Sequence, residues 1–155
     1  MKNISRFSTL STTLSATLVT LCLSTSSLWA QDAVVAAAAK EAGAVVTPSG
    51  LVYLSIKDGA GANPAASDKV KVHYRGTFPD GKEFDSSYKR GTPIEFPLNG
   101  VIPCWTEGVQ RMKVGGKAKL TCPPAIAYGA QGRGGVIPPN ATLLFEVELL
   151  GINGK

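Results

Sequence analysis

The fold class this sequence predicts is α+β: several extended segments that share one short amphipathic helix. Three observations point there. Hydrophobic residues make up 44% of the 155, yet they are broken up by 17 Gly and 10 Pro. Such a composition is too apolar for a disordered chain and too rich in turn residues for a helical bundle. Segments 69–77 and 142–152 alternate apolar and polar residues with a period of two, as half-buried strands do, and 102–112 is the one good stretch with apolar residues at helical spacing. The length suits one domain with an appendage and excludes a two-domain enzyme.

The first thirty residues read as a signal peptide. Lys2 and Arg6 form a positive start, no charge follows as far as Ala30, and the apolar centre Leu18-Val19-Thr20-Leu21-Cys22-Leu23 precedes the small residue Ala30, after which cleavage is expected. A membrane anchor is the alternative. It fits less well, because the run is rich in Ser and Thr and its apolar centre falls short of the about 18 to 20 residues that a span requires. Cys22 does not read as a lipoprotein cysteine, since Leu21 stands where a small residue is wanted. The mature chain is therefore expected to be exported, periplasmic or secreted, and free of the membrane. Residues 31–48 read as an Ala-rich tether or short helix, broken at Gly43 and closed by Thr47-Pro48-Ser49-Gly50. No internal repeat follows, so 49–155 is expected to be one domain.

Within that domain Leu51 to Ile56 is a first strand, followed by a Gly/Ala/Asn/Pro loop. Lys69 to Thr77 is the second, with Val70, Val72 and Tyr74 on one face and Lys71, His73 and Arg75 on the other. Turn residues 79–82 lead into extended pieces at 83–87 and 93–98. Pro103 suits the first turn of the helix that follows, and Trp105, Val109 and Met112 share its apolar face. Ala118, Leu120 and Cys122 alternate with Lys117, Lys119 and Thr121, which turns Cys122 inward, toward the helix that carries Cys104. The last strand places Leu143, Phe145, Val147 and Leu149 inward and Glu146 and Glu148 outward. Between the last two strands, 123–141 is longer than the about 12 to 15 residues that a compact domain tolerates in an idle loop, so it reads as a binding loop.

Several chemistries are excluded. No Gly-x-Ser-x-Gly, His-Glu-x-x-His or phosphate-loop pattern occurs. His73 is the single histidine and faces outward, which leaves nucleophilic catalysis without a base and a metal without ligands. With Lys2 and Arg6 removed, 14 bases face 11 acids, too slight an excess to imply nucleic acid. After export Cys104 and Cys122 are the remaining cysteines; they read either as a disulfide or as two reduced core thiols. What the chain does offer is Tyr74, Phe84, Trp105, Tyr128 and Phe145, with Val101-Ile102 and Val136-Ile137 in or beside loops and the carboxylate of Asp85 next to Phe84. Each could be ordinary core, but Tyr74 and Tyr128 carry hydroxyls that need partners.

These residues carry a resemblance. Val72-His73-Tyr74-Arg75-Gly76, Gly81-Lys82-Glu83-Phe84-Asp85-Ser86-Ser87, Val101-Ile102-Pro103-Cys104-Trp105-Thr106-Glu107-Gly108, Ala127-Tyr128-Gly129 and the run from Ile137 to Leu149 resemble, in order and spacing, the motifs of FKBP-type peptidyl-prolyl isomerases. The resemblance runs from about Ser49 to the C-terminus and implies an antiparallel half-barrel sheet wrapped around one short helix, with a pocket between them. It makes Trp105 the pocket floor, Tyr74, Phe84 and Phe145 the walls, and Val101 and Ile102 a lip whose backbone binds substrate. Asp85 and Tyr128 become the polar groups, Ile137 part of the covering loop, and Arg90 the base that keeps Asp85 ionised. Three positions depart from the family: Ile94 where eukaryotic members often have Phe, Arg133 in the loop, and Cys104 in place of a more usual Gly.

The implied activity is cis–trans isomerisation of X-Pro amides during folding of exported proteins, with Asp85, Tyr128 and Tyr74 as the catalytic polar set. No cofactor or metal is implied. Expected partners are proline-containing unfolded chains, and macrolides of the rapamycin and tacrolimus type as inhibitors. The alternative is a chaperone that holds clients in the same pocket, its isomerase activity incidental. The short arm favours an isomerase monomer over that reading and over the V-shaped dimers of the macrophage-infectivity group.

Overall fold

The computed structural model describes residues 26–153. The expected signal peptide falls outside the described residues as far as residue 25. Its last five residues are the start of helix α1 (Ser26–Ala38), so the expected cleavage point after Ala30 lies within that helix. Among the described residues no helix is long and apolar enough to cross a membrane.

The sheet begins earlier than the pattern suggested. Strand β1 (Ala44–Val46) pairs antiparallel with β2 (Val52–Lys57), and Glu41 just before it accepts from Lys119 at 2.5 Å. The segment read as tether is therefore docked at its end; three residues are too few to show an alternation. Next come β3 (Lys69–Thr77), β4 (Glu83–Ser86), the one-turn helix α2 (Ser87–Arg90), β5 (Ile94–Pro97), α3 (Pro103–Gln110), β6 (Lys117–Cys122) and β7 (Leu143–Asn153). All pairings are antiparallel, in the order β1-β2-β6-β7-β3-β4, and β5 joins the outer edge of β3 beside β4.

The curved sheet lays α3 against its apolar face, as the alternations require. Val70, Val72 and Tyr74 from β3, Ala118, Leu120 and Cys122 from β6, and Leu143, Phe145, Val147 and Leu149 from β7 are all buried, with Trp105 and Val109 of α3, and Met112 just beyond its end, in the same core. Each fully buried Val or Leu contributes about 1.5 to 3 kcal/mol, so this face holds the helix in place. Covalent closure is added where α3 meets β6: Cys104 and Cys122 form a disulfide across a Cα separation of 5.8 Å.

Along β3's outer edge β4 pairs with Arg75–Thr77 and β5 with Lys69–Val72. The chain leaves the edge between them to make α2, an element the sequence pattern did not reveal. Ser86 caps it by accepting from the Lys89 N–H at 3.4 Å, and Gly91 ends it in the left-handed region at φ 69°. That detour carries Arg90 back over Asp85.

Candidate active site

At the N-terminal end of α3, between the helix and the inner face of the sheet, lies a pocket of about 900 Å³. Trp105 sits at its base because Pro103 starts the helix just above it. The indole meets Tyr74 edge-on at 5.2 Å, Phe145 edge-on at 5.3 Å and Phe96 at a tilt at 5.3 Å. Phe84 from β4 stands edge-on to Phe145 at 5.6 Å and leans on Phe78 at 4.9 Å. Edge-to-face pairs of this kind are worth about 0.5 to 1.5 kcal/mol each beyond their burial, so the rings hold one another in place. Gly76 makes the arrangement possible: a Cβ there would lie 2.6 Å from Phe84 Cζ and 3.0 Å from Phe145 Cε1.

One wall is polar. Asp85 Oδ2 accepts from the Tyr74 hydroxyl, and its Oδ1 accepts from Arg90 Nη1 at 2.5 Å, while Arg90 Nη2 donates to the Tyr74 oxygen at 3.0 Å. The three groups close a ring of hydrogen bonds. Burial pushes the Asp85 carboxyl upward, but the Tyr74 hydroxyl and the Arg90 guanidinium outweigh it and hold the group below its ordinary value. Tyr74 moves the other way, raised by burial and by its bond to the carboxylate. Asp85 is thus an anion at neutral pH and Tyr74 a neutral phenol.

The connection from β6 to β7 closes the mouth. Its Ile137 is buried, Tyr128 is half-buried, and Val136 lines the pocket while exposed. Arg133 Nη1 donates to the Tyr128 hydroxyl at 3.0 Å, and its guanidinium carbon lies 5.6 Å from the centre of the Tyr128 ring. At the lip, the Ile102 carbonyl accepts from the Trp105 and Thr106 N–H groups at 2.9 and 3.1 Å. Its own N–H has no acceptor among the described residues.

Of the site residues expected from the sequence, Tyr74, Phe84, Asp85, Val101, Ile102, Trp105, Tyr128, Ile137 and Phe145 line this pocket, together with Ile94, and Arg90 reaches it only through its bonds to Asp85 and Tyr74. Phe96, Gly100 and Gly134 are additions. The alternation Ile94-Glu95-Phe96 was the available signal for Phe96, since it turns both apolar side chains to one face of β5. His73 lies outside the pocket, its Nδ1 2.9 Å from the Ser87 hydroxyl and its ring stacked on Tyr88 at 4.7 Å. Among the described residues no three metal-ligating side chains come together.

A second concavity, of about 320 Å³, opens beyond the C-terminal end of α3. Lys57, Arg111, Lys113 and Lys117 line it with Tyr53, Ser55 and Asp58. Its character is cationic and polar.

A half-open antiparallel sheet that grips one short helix over an aromatic pocket defines a class, and comparison with known proteins identifies it. The family model for FKBP-type peptidyl-prolyl cis-trans isomerases matches residues 61–150, and the chain belongs to that family. It is 55% identical over 114 residues to the isomerase FkpA of Escherichia coli K12, which covers 74% of this chain and 42% of that protein. The FK506-binding protein 1 of Dictyostelium discoideum is 53% identical over 103 residues, 65% of this chain and 96% of its own length. Among solved structures, that of FkpA from Escherichia coli superposes with a TM-score of 0.78 at 50% identity, covering 81% of this chain and 58% of that one. The chain thus spans less than half the length of the FkpA protein it matches.

Proposed function

We propose that the protein is a peptidyl-prolyl cis–trans isomerase that acts on proline-containing segments of unfolded or partly folded exported chains, in the periplasm or outside the cell, as a monomer. The observation that carries this reading is the pocket floored by Trp105 and walled by Tyr74, Phe84, Phe96 and Phe145, whose one carboxylate, Asp85, is tied up by Tyr74 and Arg90.

An X-Pro amide resists rotation by about 18 to 20 kcal/mol because twisting breaks C–N resonance. The planar amide is the more charge-separated form, and water solvates it well. In an apolar, water-poor pocket that advantage is reduced and the twisted amide gains relative to the planar one, with no covalent step. Each tenfold of rate requires about 1.4 kcal/mol of such differential binding. Phe84, Trp105 and Phe145 hold the prolyl ring, the Tyr128 hydroxyl donates to a substrate carbonyl, and the Ile102 N–H at the lip takes another. Asp85 and Tyr74, fixed by Arg90, form the polar wall that polarises the twisting amide.

The test is cis-to-trans isomerisation of a short X-Pro peptide, with and without tacrolimus or rapamycin, which this reading takes as inhibitors that occupy the pocket. Turnover that the macrolide abolishes supports the reading. A folded protein without turnover overturns it and gives the pocket to a chaperone that holds proline-containing chains.

A further inference from the structure

Asp85 and Arg133 are the two charged residues lining the pocket, and they differ in how they are compensated. Asp85 is neutralised by Arg90 at 2.5 Å. Arg133 forms no ion pair with any described residue; its contact is the neutral phenol of Tyr128. A guanidinium cannot lose its proton in a protein, so the mouth carries one net positive charge.

The backbone holds that charge in position. The Arg133 N–H donates to the Ile137 carbonyl at 2.8 Å and the Ile137 N–H returns a bond to the Arg133 carbonyl at 3.0 Å, a bridge anchored by the buried Ile137 side chain. Gly132 before it sits at φ 63°, and a Cβ there would come 2.3 Å from the Ile137 oxygen, so the turn is built around that glycine. One N–H of the fork is spent on Tyr128, which leaves donors free to meet a carboxylate bidentately.

We infer that Arg133 makes the pocket select proline-containing segments that carry a carboxylate side chain on a residue adjacent to the proline. This deepens the isomerase reading and rests on it: with the prolyl ring over Trp105, the chain on either side leaves past the mouth where Tyr128 and Arg133 stand. Because Arg133 is exposed, the preference is modest and falls with salt.

The test uses uncharged-terminus peptides with Glu, Gln or Lys immediately before the proline, and a second set with the same residues immediately after it. kcat/KM is read at low and high salt for the parent protein and for Arg133→Lys, Arg133→Gln and Arg133→Glu. In at least one set Glu should exceed Lys by about three- to fivefold at low salt. The order should persist in Arg133→Lys, flatten in Arg133→Gln, invert in Arg133→Glu and shrink at high salt. An equal response to Glu and Lys in both sets, or an order unchanged in Arg133→Glu, overturns the inference. If no peptide is turned over, the isomerase reading fails separately. An NMR titration of the same peptides, followed on the Trp105 indole, then ranks their binding, and the same ordering across the four proteins decides for or against charge selection.

Discussion

The two ends of α3 open on concavities of opposite chemistry. At its N-terminus six aromatic rings and the carboxylate of Asp85 surround about 900 Å³, while beyond its C-terminus Lys57, Arg111, Lys113 and Lys117 line about 320 Å³. The same helix and the same sheet serve both. What differs is which side chains the sheet turns toward the opening, and that decides the physics. In the first, interlocked rings offer an apolar lining, which the proposed mechanism uses to favour the twisted amide. In the second, solvated ammonium groups hold water and could only attract charge. The isomerase chemistry proposed for this fold is therefore assigned to the aromatic end and not to every concavity.

The largest effect is expected from removing the ring at the base of the pocket, which touches Tyr74, Phe96 and Phe145. Trp105→Leu keeps an apolar side chain in the helix but loses three aromatic contacts, each worth about 0.5 to 1.5 kcal/mol. If about 2 kcal/mol of that ordering is used in the transition state, kcat/KM for an X-Pro peptide falls about 30-fold while the far-ultraviolet spectrum is kept. Unchanged turnover in the folded variant would mean that the rings do not make the site.

Next in size is the covalent tie between helix and sheet. Cys104 and Cys122 close a loop of 18 residues, and in the chain-entropy model the bridge stabilises the fold by about 3 kcal/mol. Cys104→Ser with Cys122→Ser, or reduction, should lower the melting temperature by about 10 °C. Both concavities should loosen together, since α3 positions both. A scan with and without reductant measures it.

How far these features could be read from the sequence follows the length of the signal. β3 has the bounds its nine-residue alternation predicts, and the inward turn of Cys122 toward α3 could be read from Ala118-Lys119-Leu120-Thr121-Cys122. Trp105 and Val109 could be read as the apolar face of α3 from their spacing; Met112 is buried as expected, but it lies beyond the helix, which ends at Gln110. β1 and α2 were not: three residues show no period, and the single turn Ser87–Arg90 forms because Ser86 caps it and Gly91 ends it, not because it has an apolar stripe. Arg90 and Arg133 are a second lesson. Composition counts both as bases; the family resemblance already set Arg90 beside Asp85, and it took the folded chain to show that Arg133 is left with a phenol.

A smaller effect tests the polar wall. Asp85 is depressed in the fold, so its contribution to stability is complete above the ordinary unfolded value of about 4 and is lost as pH falls through the lower folded value. Asp85→Asn should melt closer to the parent protein as the pH is brought down through that window, and should lose a few-fold in kcat/KM at neutral pH. Tyr88 provides a contrast outside the pocket. Burial and its bond to Glu148 push its hydroxyl up to about 12, so the stability it lends is complete below about pH 10 and is lost as pH rises through the folded value. Alkaline titration at the phenolate absorbance should lose its last step in Tyr88→Phe.

The smallest effect is expected at the cationic end. Lys57 and Lys113 stand in the cationic concavity and form no ion pair among the described residues, so Lys57→Gln with Lys113→Gln removes two charges without orphaning a partner. The eight residues of α3 separate the two openings by about 12 Å along its axis, more than the about 8 Å over which exposed charges act at physiological ionic strength. Turnover of a neutral X-Pro peptide should therefore stay within about twofold, and so should the ratio between Glu- and Lys-containing peptides, because that ratio is assigned to Arg133 alone. A charge ratio that moved in this variant but not in Arg133→Gln would transfer the selectivity to the far end of the helix and make the two concavities parts of one substrate path.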